Sequence, residues 1–265
     1  MMRVCALISC MYKTDTRIIA DSNIQSDVVV INQCDKNAVD RFTFINKNGE
    51  LCNAIFVCTT ERGLSRSRNM AIQFAPDDAI CVVCDDDEFM ADDYQDKIIK
   101  GYEDEPQCGA ALFSLIRKDG TRRYPEVKYR LSFKDLLKAN SLQITFKKNE
   151  VIKNNIHFDV KMGSGTGNGG GEENKFLLSC RRAGIKMYYF PYTIATVLPS
   201  ESQWFSGFNE KFFENHGWAS RRLLGSLLGF VYLCYSTMHL RYRYRKDLTS
   251  TKVFRAMIKG YFSRR

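Results

Sequence analysis

The sequence predicts an α/β domain with a mainly parallel central sheet flanked by helices, followed by a basic helical C-terminal tail. Three observations carry this reading. Short, continuous apolar runs such as 27–32 (DVVVIN) and 79–84 (AICVVC) have the character of strands buried on both faces. Helix-like segments alternate with these runs, the order that gives parallel sheets. The charge is uneven: the formal net charge is +9, but residues 221–265 hold eleven Lys or Arg against one acid, Asp247. That tail is therefore +10 and the rest of the chain −1. The 265 residues, 45% hydrophobic, can bury a large core without staples, and 5 Pro and 17 Gly exclude collagen-like and disordered classes.

The elements follow in order. Val4–Ser9 is a first strand, with a helix expected around Thr16–Asp21. Asp27–Asn32 is a second strand. Arg41–Ile45 and Leu51–Cys58 flank Asn48-Gly49, a hairpin signal. Ser65–Phe74 reads as a helix with Ser65 as its N-cap. Ala79–Cys84 is a buried strand, Tyr94–Tyr102 a helix and Ala110–Ile116 a strand. Glu172–Ala183 is a helix closed by Gly184, and Lys186–Phe190 is a strand stopped by Pro191. The division expected is a regular α/β body over 1–218 and a basic helical tail over 219–265. No secretory signal is visible at the start of the chain.

The ten cysteines lie mostly in apolar, strand-like runs and read as reduced, buried thiols. Cys81 and Cys84 have zinc-type spacing but lack a second pair or a nearby His. The sharpest chemical signal is Asp85-Asp86-Asp87-Glu88, directly after a buried strand. Ligands of open α/β sheets bind at that edge. Adjacent carboxylates repel unless donors or a cation neutralise them, and oxygen-only ligands suit Mg²⁺ or Mn²⁺, which bridge phosphates. Upstream, Gly63-Leu-Ser-Arg-Ser-Arg-Asn69 opens a helix whose Arg66 and Arg68 could meet phosphate oxygens. Downstream, 163–171 holds six glycines in nine residues, expected to form a mobile loop, and Glu172-Glu173 follow it. A carboxylate beneath such a loop can serve as a general base, although acids also favour helix N-termini through the dipole alone.

Taken in order, GLSRSRN, DDD, GEE and ESQWF resemble family 2 glycosyltransferases of the GT-A fold, in particular bacterial members that build surface polysaccharides. The resemblance covers about residues 3–215. It implies that Asp85-Asp86-Asp87 correspond to the family's DxD motif, with Asp85 and Asp86 on the nucleoside side and Asp87, with Asp85, at a Mn²⁺ or Mg²⁺ ion. It places Glu173 as the catalytic base and Glu172 among the residues that bind the nucleotide sugar. Asn32 and Gln33 fall near the nucleobase, and Arg68-Asn69 either orient the nucleotide or brace the sheet. Trp204, with Phe205, would form a sugar-stacking platform. Three departures stand out: Glu173 replaces the usual Asp, amides replace acids at 32–33, and 191–204 lacks a His ligand. The implied donor is a nucleotide sugar, a UDP-sugar above others, and the implied acceptor is a glycan, lipid-linked or free.

The tail's 223–240 segment has no Asp, Glu, Lys or Arg, but Gly, Ser, Thr and His dilute it to a marginal membrane span. Arg221-Arg222 and the RYRYRK run at 241–246 flank it, which suits a helix lying on an anionic membrane surface. The expected location is cytoplasmic, peripheral on the inner face of the cell membrane. Rival classes are weaker. A nucleic-acid-binding protein explains the tail but not the acidic cluster, so no nucleic-acid partner is expected. A nucleotidyl- or phosphoryl-transferring enzyme could use the same acids, a glycoside hydrolase would need no metal, and a degraded transferase would betray itself at Glu173.

Overall fold

The computed structural model describes residues 2–117, 123–198 and 207–265. The body begins with β1 (Arg3–Met11), the single turn α1 (Ile18–Asp21) and β2 (Asp27–Gln33). The hairpin β3 (Ala38–Ile45) and β4 (Leu51–Thr59) follows, then α2 (Leu64–Phe74), β5 (Ala79–Asp85), β6 (Glu88–Met90), α3 (Tyr94–Asp104) and β7 (Cys108–Arg117). Next come β8 (Tyr129–Arg130), α4 (Phe133–Leu136), a 3₁₀ turn (Ser141–Gln143), β9 (Ile144–Lys147) and α5 (Lys148–Lys153). The chain closes with α6 (Glu172–Arg182), β10 (Lys186–Val197), α7 (Glu210–His239), α8 (Arg241–Tyr244) and α9 (Ser250–Phe262).

The strands form one mixed sheet in the order β3-β4-β2-β1-β5-β9-β7-β10-β6, with β8 pairing to β10. Its β4-β2-β1-β5 block is parallel, β9 runs antiparallel between β5 and β7, and β7 and β10 are parallel. The continuous apolar runs are explained by two covered faces. Cys5, Leu7, Val29, Cys81 and Val83 face the core under α2 and α6, and Val4, Ala6, Val30, Val82 and Cys84 face the core under α3. Each such fully buried side chain contributes roughly 1.5–3 kcal/mol. The same alternation disposes of the Cys81–Cys84 pair, because residues three apart on a strand point to opposite faces. Nine of the ten cysteines are buried and all are free.

Several local expectations are corrected. Gly63, not Ser65, caps α2, while the buried Ser65 hydroxyl donates to the Met162 carbonyl (2.9 Å). Pro191 does not stop the last strand. Its missing N–H falls at a register shift between Phe190 and Thr193, where the ladder asks nothing of it. The 163–171 loop folds back on itself. Left-handed φ at Gly163, Gly165 and Gly167 lets the Gly163 amide reach the Gly169 carbonyl. The loop is also anchored on α2, with the Leu64 amide bonded to the Ser164 carbonyl.

Helix α7 begins at Glu210 and passes through 218 and 219 without a break; it kinks at Gly225 (φ 79°, ψ −168°). Phe213, Leu233, Tyr244, Val253, Met257 and Tyr261 form a separate small core between α7 and α9. The first part of α7 is tied to the body. Arg222 makes two 2.7 Å bonds to the Asp159 carboxylate, and Trp218 and Leu223 join the core under α6. Arg221 bonds the Tyr261 carbonyl of α9, so the Arg221-Arg222 flank also helps hold helices together. Among the described residues no helix is long and apolar enough to cross a membrane.

Candidate active site

The carboxyl ends of β1, β2 and β5 converge on one edge of the sheet, and α2 and α6 present their N-terminal turns to it. Arg68, from α2, is the hub. Its side chain is 1% exposed. Nη2 donates to both oxygens of Asp85 (3.1 and 3.3 Å) at the end of β5, and Nη1 to Oε1 of Glu172 (3.0 Å) at the start of α6. The guanidinium also lies 5.5 Å from the centre of the Phe158 ring. This is the geometry of a brace: one cation joins the acidic turn to the Glu172-Glu173 pair. Arg66 points outward, 3.8 Å from Glu61.

The amides have a shared pattern. Asn32 is buried and clamps the backbone of Lys13, donating to its carbonyl (2.8 Å) and accepting from its amide (2.9 Å). Gln33 accepts from the Gly63 amide (2.7 Å). Asn69 clamps Phe158 in the same two-bond way as Asn32 clamps Lys13. These side chains set the loops at the rim, and groups that sequence reasoning passed over stand on those loops. Lys13 pairs with Asp86 (3.0 Å). Tyr12, exposed and left-handed (φ 52°), has the Arg62 guanidinium 5.5 Å from its ring centre, and Arg62 pairs in turn with Asp35 (2.7 Å). The carboxyl-edge rule applied to β1 would have flagged Tyr12 and Lys13.

The acidic turn is unequal in its environment. Asp86 is exposed, and Asp85 and Asp87 are half-buried. Glu88, on β6, is 2% exposed, and neither carboxylate oxygen has a hydrogen-bond partner among the described residues. Burial, then the nearby Asp85 and Asp87, push Glu88 well above the usual carboxylate range. Burial also raises Asp85, against the opposing pull of Arg68. The available donors are all oxygen, which fits Mg²⁺ or Mn²⁺. Among the described residues no three ligating side chains come together.

Glu173 is half-buried, yet its Oε2 is fully buried and without a partner among the described residues. Burial first, and the adjacent Glu172 second, raise its pKa to about 8. It borders a cavity of about 640 Å³ between the glycine loop, the start of α6 and one face of α7. Trp204, with the other residues of 201–205 singled out from the sequence, lies outside the described residues.

An α/β sheet with an acidic turn at the carboxyl edge of its parallel block, tied by Arg68 to the Glu172-Glu173 pair of α6, fits a nucleotide-sugar transferase. The chain belongs to glycosyl transferase family 2, whose pattern matches residues 21–166, and with it to the enzymes that transfer sugars. Solved structures share the fold. The S. aureus TarS 1–349 structure in complex with UDP-GlcNAc is 13% identical at a TM-score of 0.64, covering 97% of this chain and 81% of that one. The mannosyltransferase PcManGT of Pyrobaculum calidifontis, in complex with GDP-Man and Mn²⁺, is 14% identical at a TM-score of 0.54, covering 100% and 89%. No curated protein matches the chain in sequence.

Proposed function

We propose that this enzyme moves a sugar from a nucleoside-diphosphate donor, a UDP-sugar above others, to a hydroxyl of a glycan acceptor, with inversion, in the synthesis of a surface polysaccharide. The observation that carries this reading is Glu173. A buried carboxylate oxygen without a partner among the described residues, on a group whose pKa is raised to about 8, is suited to take a proton from a hydroxyl. In a single displacement the acceptor oxygen bonds the anomeric carbon as the bond to the diphosphate breaks. The acceptor proton passes to Glu173. Arg68 fixes the acidic turn and α6 at one separation, which supports near-attack positioning. Tyr12 offers an exposed ring for the base, and Asn32 and Gln33 contribute by shaping the loops that carry Lys13 and Gly63. Asp86 and Lys13 border the nucleotide. A Mn²⁺ or Mg²⁺ ion at Asp87 and Asp85 would offset the charge developing on the leaving diphosphate.

The acceptor is proposed to be lipid-linked, and the enzyme peripheral at the inner face of the cell membrane. Leu227, Leu228, Val231, Tyr235 and Met238 form an exposed apolar stripe on α7, and the exposed Arg241, Arg243, Arg245 and Lys246 follow it. The division into a catalytic body and a membrane-facing tail is read in the same way, with the apolar stripe beginning after the kink at Gly225.

The first test is thermal melting with a panel of nucleoside diphosphates, with and without Mn²⁺. Ligand at a hundredfold its dissociation constant adds about 2.7 kcal/mol. A metal-dependent rise with one diphosphate, lost in Asp87→Ala, supports the reading. No rise with any of them, in folded protein, overturns it.

A further inference from the structure

We propose that the cavity beside Glu173 is the acceptor subsite, that its occupant is a neutral saccharide, and that His216 of α7 hydrogen-bonds an acceptor hydroxyl there. This rests on Glu173 being the base of the transfer and deepens that reading. His216 lies outside the stretch 21–166 that carries the family likeness.

The argument begins with two orphaned atoms. Glu173 Oε2 and His216 Nε2 are both buried without a hydrogen-bond partner among the described residues, and both residues border the same cavity of about 640 Å³. They come from different helices, one from α6 and one from α7. Leaving such a group unpaired is costly, a burden that a ligand hydroxyl reaching the atom relieves. The volume is in the range of small-molecule sites.

The lining decides the class of ligand. Its ionisable groups are Glu172, already paired with Arg68, Glu173 and one lysine, Lys211, so the wall offers no cluster of cations to hold a diphosphate. Asn168, Asn215 and Ser220 add neutral polar groups. Burial lowers the His216 pKa to about 4, so the imidazole is neutral at working pH, with one donor and one acceptor nitrogen. The ring is held by its neighbours. Phe212 stacks on it (6.1 Å, 10° between planes), and Tyr232 lies 5.8 Å away. Aromatic faces beside neutral hydrogen-bonding groups suit the mixed surface of a sugar ring. The opposite wall is glycine for a spatial reason: a Cβ at Gly163 would come within 3.0 Å of the Glu172 carboxyl carbon, and one at Gly169 within 3.0 Å of the Asn215 carbonyl oxygen.

The test is isothermal titration of the full chain with submicellar n-octyl glycosides of glucose, galactose, mannose and N-acetylglucosamine. At least one is expected to bind. His216→Phe is expected to weaken it at least tenfold, and His216→Gln, which keeps hydrogen-bonding groups, less than threefold. Nucleoside-diphosphate melting shifts serve as the control for folding. The proposal is overturned if no glycoside binds, if His216→Phe binds as wild type does, or if that variant loses nucleotide and glycoside binding together. Failure of the underlying transferase reading looks different: no diphosphate then shifts wild-type melting, whatever the glycosides do.

Discussion

At the scale of single residues the site is governed by unequal partnering of carboxylates. Glu172 has Arg68, whereas Glu173, one residue on, has a buried oxygen without a partner among the described residues. Its pKa near 8 has two consequences. As a base it must be ionised, so transfer should rise with pH through about 8. Glu173→Gln should lower turnover by roughly 10²–10⁴ while donor still shifts the melting temperature; near wild-type turnover would refute the assignment. For stability the sign is opposite. Between its ordinary 4.5 and its folded value of about 8, the folded protein holds a proton that the unfolded chain has released. The stability this proton contributes is full below 4.5 and is lost as pH rises through about 8. Melting temperatures of wild type should therefore fall between pH 6 and pH 9 relative to Glu173→Gln, and parallel profiles would count against the shift. Arg68 makes the other residue-scale prediction. Arg68→Met strands two carboxylates that are now paired, and breaking a buried ion pair from one side costs roughly 3–5 kcal/mol. The urea midpoint should drop accordingly; a drop within error of zero would mean that the brace is not needed.

At the scale of elements the contacts that set the site are close approaches and clamped loops. Helices α7 and α9 cross where Gly217 faces the Met257 backbone and Gly260 faces the Glu214 backbone, and a Cβ at either glycine would collide with the opposing chain. Gly217→Ala and Gly260→Ala should each cost roughly 1–3 kcal/mol by overpacking, read as lower melting temperatures, whereas Gly184→Ala meets no atom within 4 Å and perturbs only its own left-handed turn. The long elements were legible in the sequence because their physics is local. Ala79–Asp85 announces itself by six buried residues in a row, and the β3–β4 turn by Gly49 at φ 81°. Short elements were not. β6 and β9 hold three and four residues, and their pairing is decided by distant partners. The site divides similarly. The acidic turn was readable from its place after a buried strand, but nothing in Asn32 or Asn69 indicates that its amide holds a loop, because that depends on which backbone the fold delivers. His216 carries no sequence signal at all: it is one residue on an amphipathic helix, and only packing brings it to the same cavity as Glu173.

At the scale of the whole molecule, α7 links two surfaces. Its first half lines the cavity at Asn215, His216 and Ser220, and beyond the kink at Gly225 it turns an apolar stripe outward. Leu227 is 77% exposed and Met238 71%, values that a water-facing helix has no reason to combine on one face. Cations follow at 241–246 with Asp247 as the tail's single acid, so the stripe's end suits anionic headgroups. If a lipid-linked glycan is the acceptor, a helix seated in the interface would carry the cavity within reach of its sugar end. Deleting the tail is a poor test, because Leu223 belongs to the body's core and Lys175 bonds the Arg222 carbonyl. Exposed positions are the right ones. Leu227→Glu, Val231→Glu and Met238→Glu combined should leave the melting temperature within about 2 °C of wild type, since exposed changes are usually within ~0.5 kcal/mol each. The same variant should lose roughly tenfold in binding to phosphatidylcholine vesicles containing phosphatidylglycerol, because each site exchanges buried apolar area for a charge. Raising the salt concentration should weaken the wild type on these vesicles by screening Arg241, Arg245 and Lys246. Equal vesicle binding by wild type and the triple variant would detach the stripe from the membrane and leave the acceptor pocket to stand on His216 alone.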